Sequence, residues 1–238
     1  MSYLVEGYYR ESVAAAPASE RVRFIRRTYA HLAVAIGAFV GIEAVLFSTG
    51  LGSKMMTSLF AFNGSWLALM VVFVVSGIAA QMMARSRSSS ALQYSGLALY
   101  VLLEVVIFLP ILMAAEKSFP GHHLPLQAGV LTLAVFGGLS TATFLSRKDF
   151  SFLGPVLSVC TWLALGLVIA AVVGGFSLGL VFAFAMVALA SGFIIYNTSN
   201  IMHQYSTDQH VAASLNLFAS IALLFWYILL IFMNSRDD

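Results

Sequence analysis

The sequence predicts an all-α integral membrane protein with seven transmembrane helices. Composition is the first observation: 61% of the residues are hydrophobic and 9% are charged, whereas about 25% are charged in a typical soluble domain. The second observation is length, because a helix needs roughly 20 apolar residues to cross a bilayer, and the chain contains seven such stretches. The short connections between them leave little chain for a separate soluble domain.

The apolar stretches set the boundaries of the predicted elements. The seven spans cover residues 28–47, 65–84, 92–114, 126–145, 152–173, 178–197 and 211–233. Residues 1–27 form a predicted cytoplasmic N-terminal arm, residues 28–233 the transmembrane domain, and residues 234–238 a short C-terminal tail. The lipid bilayer is therefore the first expected partner.

The N-terminal arm is polar and holds five arginines and three glutamates before the first span. This composition favours a short cytoplasmic segment, with an amphipathic interfacial helix as one possible form. The small-residue run AAAPAS comes before the apolar span, whereas a signal peptide has its cleavage site after the apolar region. We therefore expect the first span to be retained.

Basic residues predict the orientation of the chain. With seven spans and a cytoplasmic N-terminus, nine of the 12 lysine and arginine residues lie in cytoplasmic segments, as the positive-inside rule requires. The candidate residues of the cytoplasmic loops are Arg85, Arg147, Lys148, Asp149 and His203. The short tails and compact loops favour a multi-pass protein of a bacterial inner membrane.

The first span carries small residues at four-residue spacing, at Ala33, Gly37 and Gly41. Such a stripe lets another helix approach closely. Glu43 lies near the outer end of this span, and we favour a carboxyl group that reaches the lipid headgroups. The second span has no comparable feature.

The third span contains Glu104, which lies about twelve residues from Leu92 and therefore close to the middle of the membrane. A carboxylate there is disfavoured unless it is protonated, paired or hydrated. A gating role and a structural hydrogen bond between helices both remain open. Pro110 is expected to kink the outer end of this helix.

The fourth, fifth and sixth spans repeat the spacing of small residues. The pairs are Ala134 with Gly138, Gly166 with Ala170, and Ala188 with Gly192. Before the fourth span, the adjacent His122 and His123 have only Glu116 as a nearby carboxylate, so we interpret this loop as solvated and predict no metal site.

Polar residues are set into the last two spans, where a lipid-facing helix would carry apolar side chains. Asn197, Thr198, Asn200 and His203 close the sixth span, and Asn216 and Ser220 lie inside the seventh. This pattern predicts a polar pocket between packed helices. The pore or gating candidates are Glu104, Asn197, Asn200, Asn216 and Ser220.

Several membrane-protein classes do not fit the sequence. The last span has no lysine for a retinal Schiff base, and the chain has neither paired intramembrane aspartates nor a helix motif with two histidines. Its one cysteine, Cys160, excludes an intrachain disulfide. We predict no enzyme activity, no catalytic residue, no cofactor and no nucleic-acid partner.

Four stretches resemble a known family. They are LLEV around Glu104, GLSTATFLSRKDFSFLG across the fourth and fifth spans, GFIIYNTSNIMH at the end of the sixth, and SLNLFASIALLF in the seventh. With the helix count and loop lengths, they are similar to the transmembrane Bax inhibitor-1 motif proteins, and more closely to their bacterial members. The resemblance covers nearly the whole chain after Arg23.

The resemblance implies a compact bundle with the last helix at its centre. Some members are proton-sensitive calcium leak pathways, in which two aspartates on the sixth and seventh helices share a proton and govern opening. The matching positions here are Asn197 and Ser220, which cannot titrate. The resemblance therefore implies a candidate calcium leak channel with altered or absent pH gating.

An alternative function also follows from the resemblance. Bacterial members that lack the aspartates resemble non-transporting modulators of a membrane-anchored AAA+ quality-control protease. In that case the N-terminal arm is the natural contact, and a membrane protease rather than calcium is the expected partner. Fold alone does not decide between the two functions.

Overall fold

The computed structural model describes residues 12–59, 65–86 and 89–235, and these residues form eight helices. The helices are α1 Ala18–Ser48, α2 Leu51–Leu59, α3 Ser65–Ala84, α4 Ser90–Ser118, α5 Leu124–Ser146, α6 Leu153–Gly174, α7 Gly179–His203 and α8 His210–Asn234. The predicted all-α class is confirmed. The predictions for residues 1–11, for Arg87 and for the end of the C-terminal tail lie outside the described residues.

Six of the described helices are long and apolar enough to cross a membrane: α1, α4, α5, α6, α7 and α8. Within α3, Ala68–Ala84 is a shorter apolar helix. The chain is therefore a multi-pass membrane protein by the length and composition of its helices. The seventh span and the orientation stay predictions.

The first helix begins at Ala18 rather than at the predicted residue 28, so it includes the basic part of the arm. Pro17 lies directly before the helix with ψ 146°, and Glu20 in the first turn complements the partial positive charge of the helix N-terminus. The short helix α2 forms in a segment for which we predicted no helix. In the third predicted span, α4 continues through Pro110 to Ser118.

The last helix lies at the centre of the bundle, as the resemblance implies. α8 packs against α1, α3, α4, α5 and α7, and Leu215, Leu217, Leu224 and Leu229 are almost completely buried. A helix that is apolar all round is typical of such a position. By contrast, α6 buries only Leu157 and Ala171 and packs mainly against α7.

Small residues allow close helix contacts at some of the predicted positions only. A Cβ atom at Gly192 would lie 2.8 Å from Leu157 Cδ2, so α6 and α7 approach closely there. The same prediction is wrong for four glycines, which face away from neighbouring helices and would meet nothing within 4 Å: Gly37, Gly41, Gly138 and Gly166. The tightest approach was not predicted. A Cβ atom at Gly96 of α4 would lie 2.6 Å from the Ala80 carbonyl oxygen of α3.

One end of the bundle collects most of the described cations. The long helices alternate in direction, so α1, α4, α6 and α8 begin where α3, α5 and α7 end. The cations at this end, which we call the basic end, are Arg21, Arg23, Arg26, Arg27, Arg85, Arg147 and Lys148.

Candidate functional site

A polar cavity of about 740 Å³ lies between α3, α4, α6, α7 and α8. All five pore or gating candidates line this polar cavity: Glu104, Asn197, Asn200, Asn216 and Ser220. The sequence therefore located a polar pocket between packed helices, although Glu104 of α4 is far in the chain from the other four residues, which lie on the consecutive helices α7 and α8. The role of these residues stays a prediction.

A hydrogen bond between α7 and α8 crosses the middle of the polar cavity. The Asn197 amide nitrogen donates to Ser220 Oγ at 2.9 Å, and Ser220 Oγ donates to the Asn216 carbonyl oxygen at 2.8 Å. Buried polar groups in a membrane protein need such internal partners. Asn197 and Ser220, the positions that the resemblance matches to a pair of aspartates, are therefore in contact, and the bond between them is a neutral hydrogen bond.

Glu104 faces the same polar cavity from α4. It is 5% exposed, and the Tyr100 hydroxyl, one helical turn away, is its hydrogen-bond partner. Among the described residues that line the cavity, Glu104 supplies the only carboxyl group. It therefore does not point at lipid, and it lies within a polar environment shared with α7 and α8.

The part of the polar cavity nearest the basic end is lined by Arg85, Asn200 and Tyr205. The Asn216 amide nitrogen donates to the Tyr205 hydroxyl at 2.6 Å. Burial raises the pKa of Tyr205, against the opposite effects of the Asn216 hydrogen bond and the Arg85 charge. The Asn200 side-chain oxygen is buried without a hydrogen-bond donor in the described part of the chain, so it is available to accept from water or to contact a cation.

Aromatic and apolar side chains line the other end of the polar cavity. The ring of Phe108 meets the ring of Trp226 edge-on at 5.1 Å and stacks on Phe225 at 5.4 Å. Met70 and Phe73 of α3 add apolar surface on the same side. The cavity is thus polar toward the basic end and lined by apolar and aromatic side chains toward the opposite end.

The segment before α1 is attached to the loop between α7 and α8. The Val13 backbone N–H donates to the Tyr205 carbonyl oxygen at 2.8 Å, and Ser12 pairs antiparallel with Ser206. Phe24 of α1 also contacts the Tyr205 ring, at a centroid distance of 6.3 Å. The described part of the predicted arm therefore helps to hold Tyr205 in place, a role that the sequence did not suggest.

The loop between α5 and α6 carries three of the cytoplasmic loop candidates, Arg147, Lys148 and Asp149, and all three are exposed. The Ser151 backbone N–H donates to the Asp149 carboxylate at 2.9 Å, which lowers the pKa of Asp149.

The end of α7 holds this loop in place. The Phe150 backbone N–H donates to Ser199 Oγ at 2.8 Å, and His203 Nδ1 donates to the Ser199 carbonyl oxygen at 3.0 Å. Of the five loop candidates, only Arg85 lines the polar cavity. Of the other four, Arg147, Lys148 and Asp149 are exposed, and His203 is half-buried beside them at the end of α7.

Sequence reasoning missed several residues that line the polar cavity. Tyr100 could have been found, because a residue four positions before Glu104 lies on the same face of a helix. Tyr205 carried no such pattern, since its position depends on contacts with α1, α3 and α8. Gln81, Tyr196 and Trp226 were also missed.

Glu43 differs from its prediction. We favoured a carboxyl that reaches the headgroups, but Glu43 is 6% exposed and neither of its carboxyl oxygens has a hydrogen-bond partner in the described part of the chain. The physical reason is its place on α1, where it shares the inward face with Leu32, Ala35 and Leu46.

Known proteins resemble this chain over most of its length. The family model described as "Inhibitor of apoptosis-promoting Bax1" matches residues 21–237. The mouse protein lifeguard 4 is 29% identical over 226 residues, which cover 93% of this chain and 89% of the mouse protein.

Shorter matches occur in a virus and a yeast. The Golgi anti-apoptotic protein of Vaccinia virus strain Lister is 33% identical over 135 residues, which cover 55% of this chain and 56% of the viral protein. Bax inhibitor 1 of Schizosaccharomyces pombe is 32% identical over 127 residues, which cover 51% of this chain and 47% of the yeast protein. In both matches the chain spans about half the length of its relative.

Proposed function

The chain belongs to the Bax inhibitor-1 family, whose model matches residues 21–237, and from this premise we propose that it is a leak path for calcium through the polar cavity. In this proposal the cation enters at the basic end, passes the amide and hydroxyl groups of α7 and α8, and reaches Glu104. Family membership and the membrane-spanning bundle rest on separate observations, so they do not depend on whether the protein transports calcium.

The carrying observation is that the carboxyl group of Glu104 lines the polar cavity together with the side-chain amides of Asn197, Asn200 and Asn216. Hard divalent cations prefer oxygen ligands of this kind, from carboxylates, amides and water. A polar cavity of about 740 Å³ also has room for several water molecules. These features support passage of a partly hydrated cation.

The described conformation corresponds to a closed path in this proposal. The Phe108 and Trp226 rings pack edge-on at 5.1 Å in the apolar part of the cavity, and in this proposal conduction requires them to separate. Asn197 and Ser220 gain no charge as pH rises, and therefore no repulsion pushes α7 from α8. We accordingly expect calcium flux that lacks the pH gating of an acidic pair.

Calcium efflux from liposomes that contain the purified protein tests this function. The Glu104→Gln substitution keeps the size of the side chain and removes its negative charge, so we expect flux to fall about tenfold, equivalent to about 1.4 kcal/mol in the barrier. The matched control is Glu116→Gln, which removes an exposed carboxyl near the end of α4 and should leave flux unchanged. Equal flux in the wild type and Glu104→Gln would contradict the proposal.

A second candidate function is modulation of a membrane-anchored AAA+ protease. The observation that favours it is the exposed pair Arg147 and Lys148, on a loop held in place by the hydrogen bond from Phe150 to Ser199. A fixed cationic loop suits recognition of an acidic protein surface.

Protease binding can be tested separately from transport. Reversing both charges, with Arg147→Glu and Lys148→Glu, should abolish co-purification with the protease while calcium flux is retained. Reversal of Lys117, an exposed cation at the opposite end of the bundle, is the control. Protease binding that survives the double reversal would remove this role for the loop.

We also propose a bacterial inner membrane with the N-terminus in the cytoplasm. The concentration of described cations at the basic end supports this orientation through the positive-inside rule. With seven spans, a cytoplasmic N-terminus places Asp238 on the outer side of the membrane. Alkaline phosphatase fused after Asp238 should therefore be active, because that reporter requires export from the cytoplasm. An inactive phosphatase together with a fluorescent cytoplasmic reporter at the same position would reverse the assignment.

A further inference from the structure

A second pocket, of about 340 Å³, lies on another face of α8 and is bounded by α1, α4, α5 and α8. We call it the apolar pocket. Phe218, Ile221 and Phe225 of α8 form its floor, and Leu112 of α4 and Leu133 of α5 contribute to its walls. Its volume falls in the range of small-molecule binding sites.

The apolar pocket opens sideways, between α1 and α5. The side chains at its rim are strongly exposed on the protein surface: Val40 by 57%, Leu126 by 67% and Val130 by 62%. Nearer the basic end the same gap is filled by Tyr29, whose ring contacts Phe136 at 6.3 Å and Phe144 at 5.9 Å. In a membrane, the opening therefore faces the hydrocarbon tails of the lipids.

Glu43 is the unusual member of the lining. Both of its carboxyl oxygens are buried without a hydrogen-bond partner in the described part of the chain. The hydroxyl group of Thr132 also lies in the lining. It does not donate to Glu43, because Thr132 Oγ1 donates to the Ala128 carbonyl oxygen at 2.7 Å. Among the described residues, no lysine, arginine or histidine lines the apolar pocket.

Because no donor in the described residues reaches this carboxyl group, we consider a bound ligand as the donor. The ionised form is strongly disfavoured in an apolar site without a counter-charge. The protonated form provides one donor of its own but still leaves its carbonyl oxygen without a hydrogen bond. In both protonation states, a ligand that brings hydrogen-bond donors would satisfy Glu43.

We propose that the apolar pocket binds a single-chain amphiphile with a primary ammonium head, placed against Glu43, and an alkyl chain along the apolar lining. An ammonium group has three donors, which suffice for two carboxyl oxygens, and it also neutralises the charge. A long-chain alcohol has one donor and no charge. A phospholipid would bring a phosphate into a pocket that has no cationic side chain to meet it.

Saturable binding of radiolabelled dodecylamine tests this site, with the full chain in phosphatidylcholine nanodiscs and empty nanodiscs as background. We expect dodecylamine to bind saturably and to be displaced by unlabelled dodecylamine. Dodecanol and phosphatidylethanolamine should displace it at least tenfold less well. Equal displacement by dodecanol would overturn the ammonium head, and displacement by phosphatidylethanolamine would assign the site to a membrane phospholipid instead.

Two variants connect the binding to the apolar pocket. Glu43→Gln removes the charge and should weaken dodecylamine binding at least tenfold, whereas Glu116→Gln should not change it. Gly129→Leu adds a side chain where a Cβ atom meets nothing within 4 Å, so it fills the pocket without a backbone clash and should abolish binding. Its matched control is Gly138→Leu on the same helix, where a Cβ atom also meets open space.

Unchanged binding in Glu43→Gln or in Gly129→Leu would overturn the proposal. If Glu43→Gln does not fold, Gly129→Leu still decides whether the pocket is occupied. The site stands apart from the proposed leak, because calcium flux is expected to be unchanged in Gly129→Leu, and loss of either activity leaves the other measurable.

Discussion

Two glutamates are buried in this bundle to almost the same extent, and their surroundings differ. Glu104 is 5% exposed and Glu43 is 6% exposed. Glu104 has Tyr100 as a hydrogen-bond partner and shares the polar cavity with three asparagines. Glu43 has no partner in the described residues and lies in the apolar pocket. The comparison shows that the depth of an acid in a membrane protein does not by itself define its role.

The local sequence explains part of this difference. One turn before Glu104, α4 carries Tyr100, which has a hydroxyl. One turn before Glu43, α1 carries Phe39, which is apolar and packs on Phe108 and Phe218. The rest of the difference comes from the face of α8 that each acid meets. One face carries Asn216 and Ser220, and the other carries Phe218 and Phe225.

The largest expected effect contrasts the close contact between α3 and α4 with the open space in the apolar pocket. Gly96→Val places side-chain atoms against the Ala80 carbonyl and the Ala84 backbone nitrogen of α3, and we expect a loss of about 3 kcal/mol from overpacking against backbone that cannot yield. Gly129→Val, in open space, should change stability by about 0.5 kcal/mol or less. Thermal unfolding in detergent measures both variants. Equal unfolding temperatures would show that the α3–α4 contact is looser than described.

The next effect concerns the charge of the polar cavity and the pH dependence of calcium flux. The double substitution Asn197→Asp and Ser220→Asp places two carboxylates where one neutral hydrogen bond of 2.9 Å now stands. Close carboxylates share a proton at low pH and repel when both ionise. We expect calcium flux to rise about tenfold between pH 6 and pH 8, since a change of 1.4 kcal/mol is tenfold in rate.

The matched control for the acidic pair is Asn197→Asp alone. It adds one carboxylate without the repulsion of a second, and its flux should change much less with pH. A flux that remains independent of pH in the double variant would show that an acidic pair at these two positions is insufficient for gating.

A smaller effect concerns the part of the polar cavity nearest the basic end. Tyr205→Phe removes the acceptor of the 2.6 Å hydrogen bond from Asn216, at a cost of about 1 kcal/mol at neutral pH. Phe218→Leu in the floor of the apolar pocket is the comparison, because this substitution removes neither a side-chain hydrogen bond nor a titrating side chain.

The pH dependence of this effect follows from burial, which raises the pKa of Tyr205 above its ordinary value. The unfolded chain therefore releases its proton first, and the wild type loses stability as pH rises through the ordinary tyrosine pKa toward the higher folded one. Phenylalanine has no proton to release, so its unfolding free energy lacks this pH dependence. The difference in unfolding free energy between the wild type and Tyr205→Phe should therefore shrink between pH 9 and pH 11. Denaturation in detergent at both pH values measures it, and a constant deficit would contradict the burial of the hydroxyl.

Much of the fold was predictable because lipid imposes a strong length constraint on apolar helices. Six predicted spans correspond to helices long enough to cross a membrane, and all five pore candidates line one cavity. Glu104 and Asn197 were identified for the same physical reason, because a polar side chain in an apolar helix needs a partner.

Other features depend on contacts between distant parts of the chain. Gly96 and Gly37 are both glycines in apolar helices, but only Gly96 faces a neighbouring backbone, and the rotation of a helix is not visible in small-residue spacing alone. The attachment of Val13 to Tyr205 and the burial of Glu43 also depend on the assembled bundle. The structure therefore differs from the sequence-based expectation in the helix contacts of the glycines, in the attachment of the segment before α1 and in the burial of Glu43.

The central claim is that cations pass through the polar cavity and not through the apolar pocket. The most direct measurement uses single cysteines in a Cys160→Ala background, with Ala219→Cys in the polar cavity and Gly129→Cys in the apolar pocket. A charged methanethiosulfonate reagent is added to both sides of calcium-loaded liposomes. We predict that it blocks efflux through the Ala219→Cys variant and leaves the Gly129→Cys variant unchanged. Efflux that continues in Ala219→Cys after confirmed labelling, or equal block in both variants, would contradict the account.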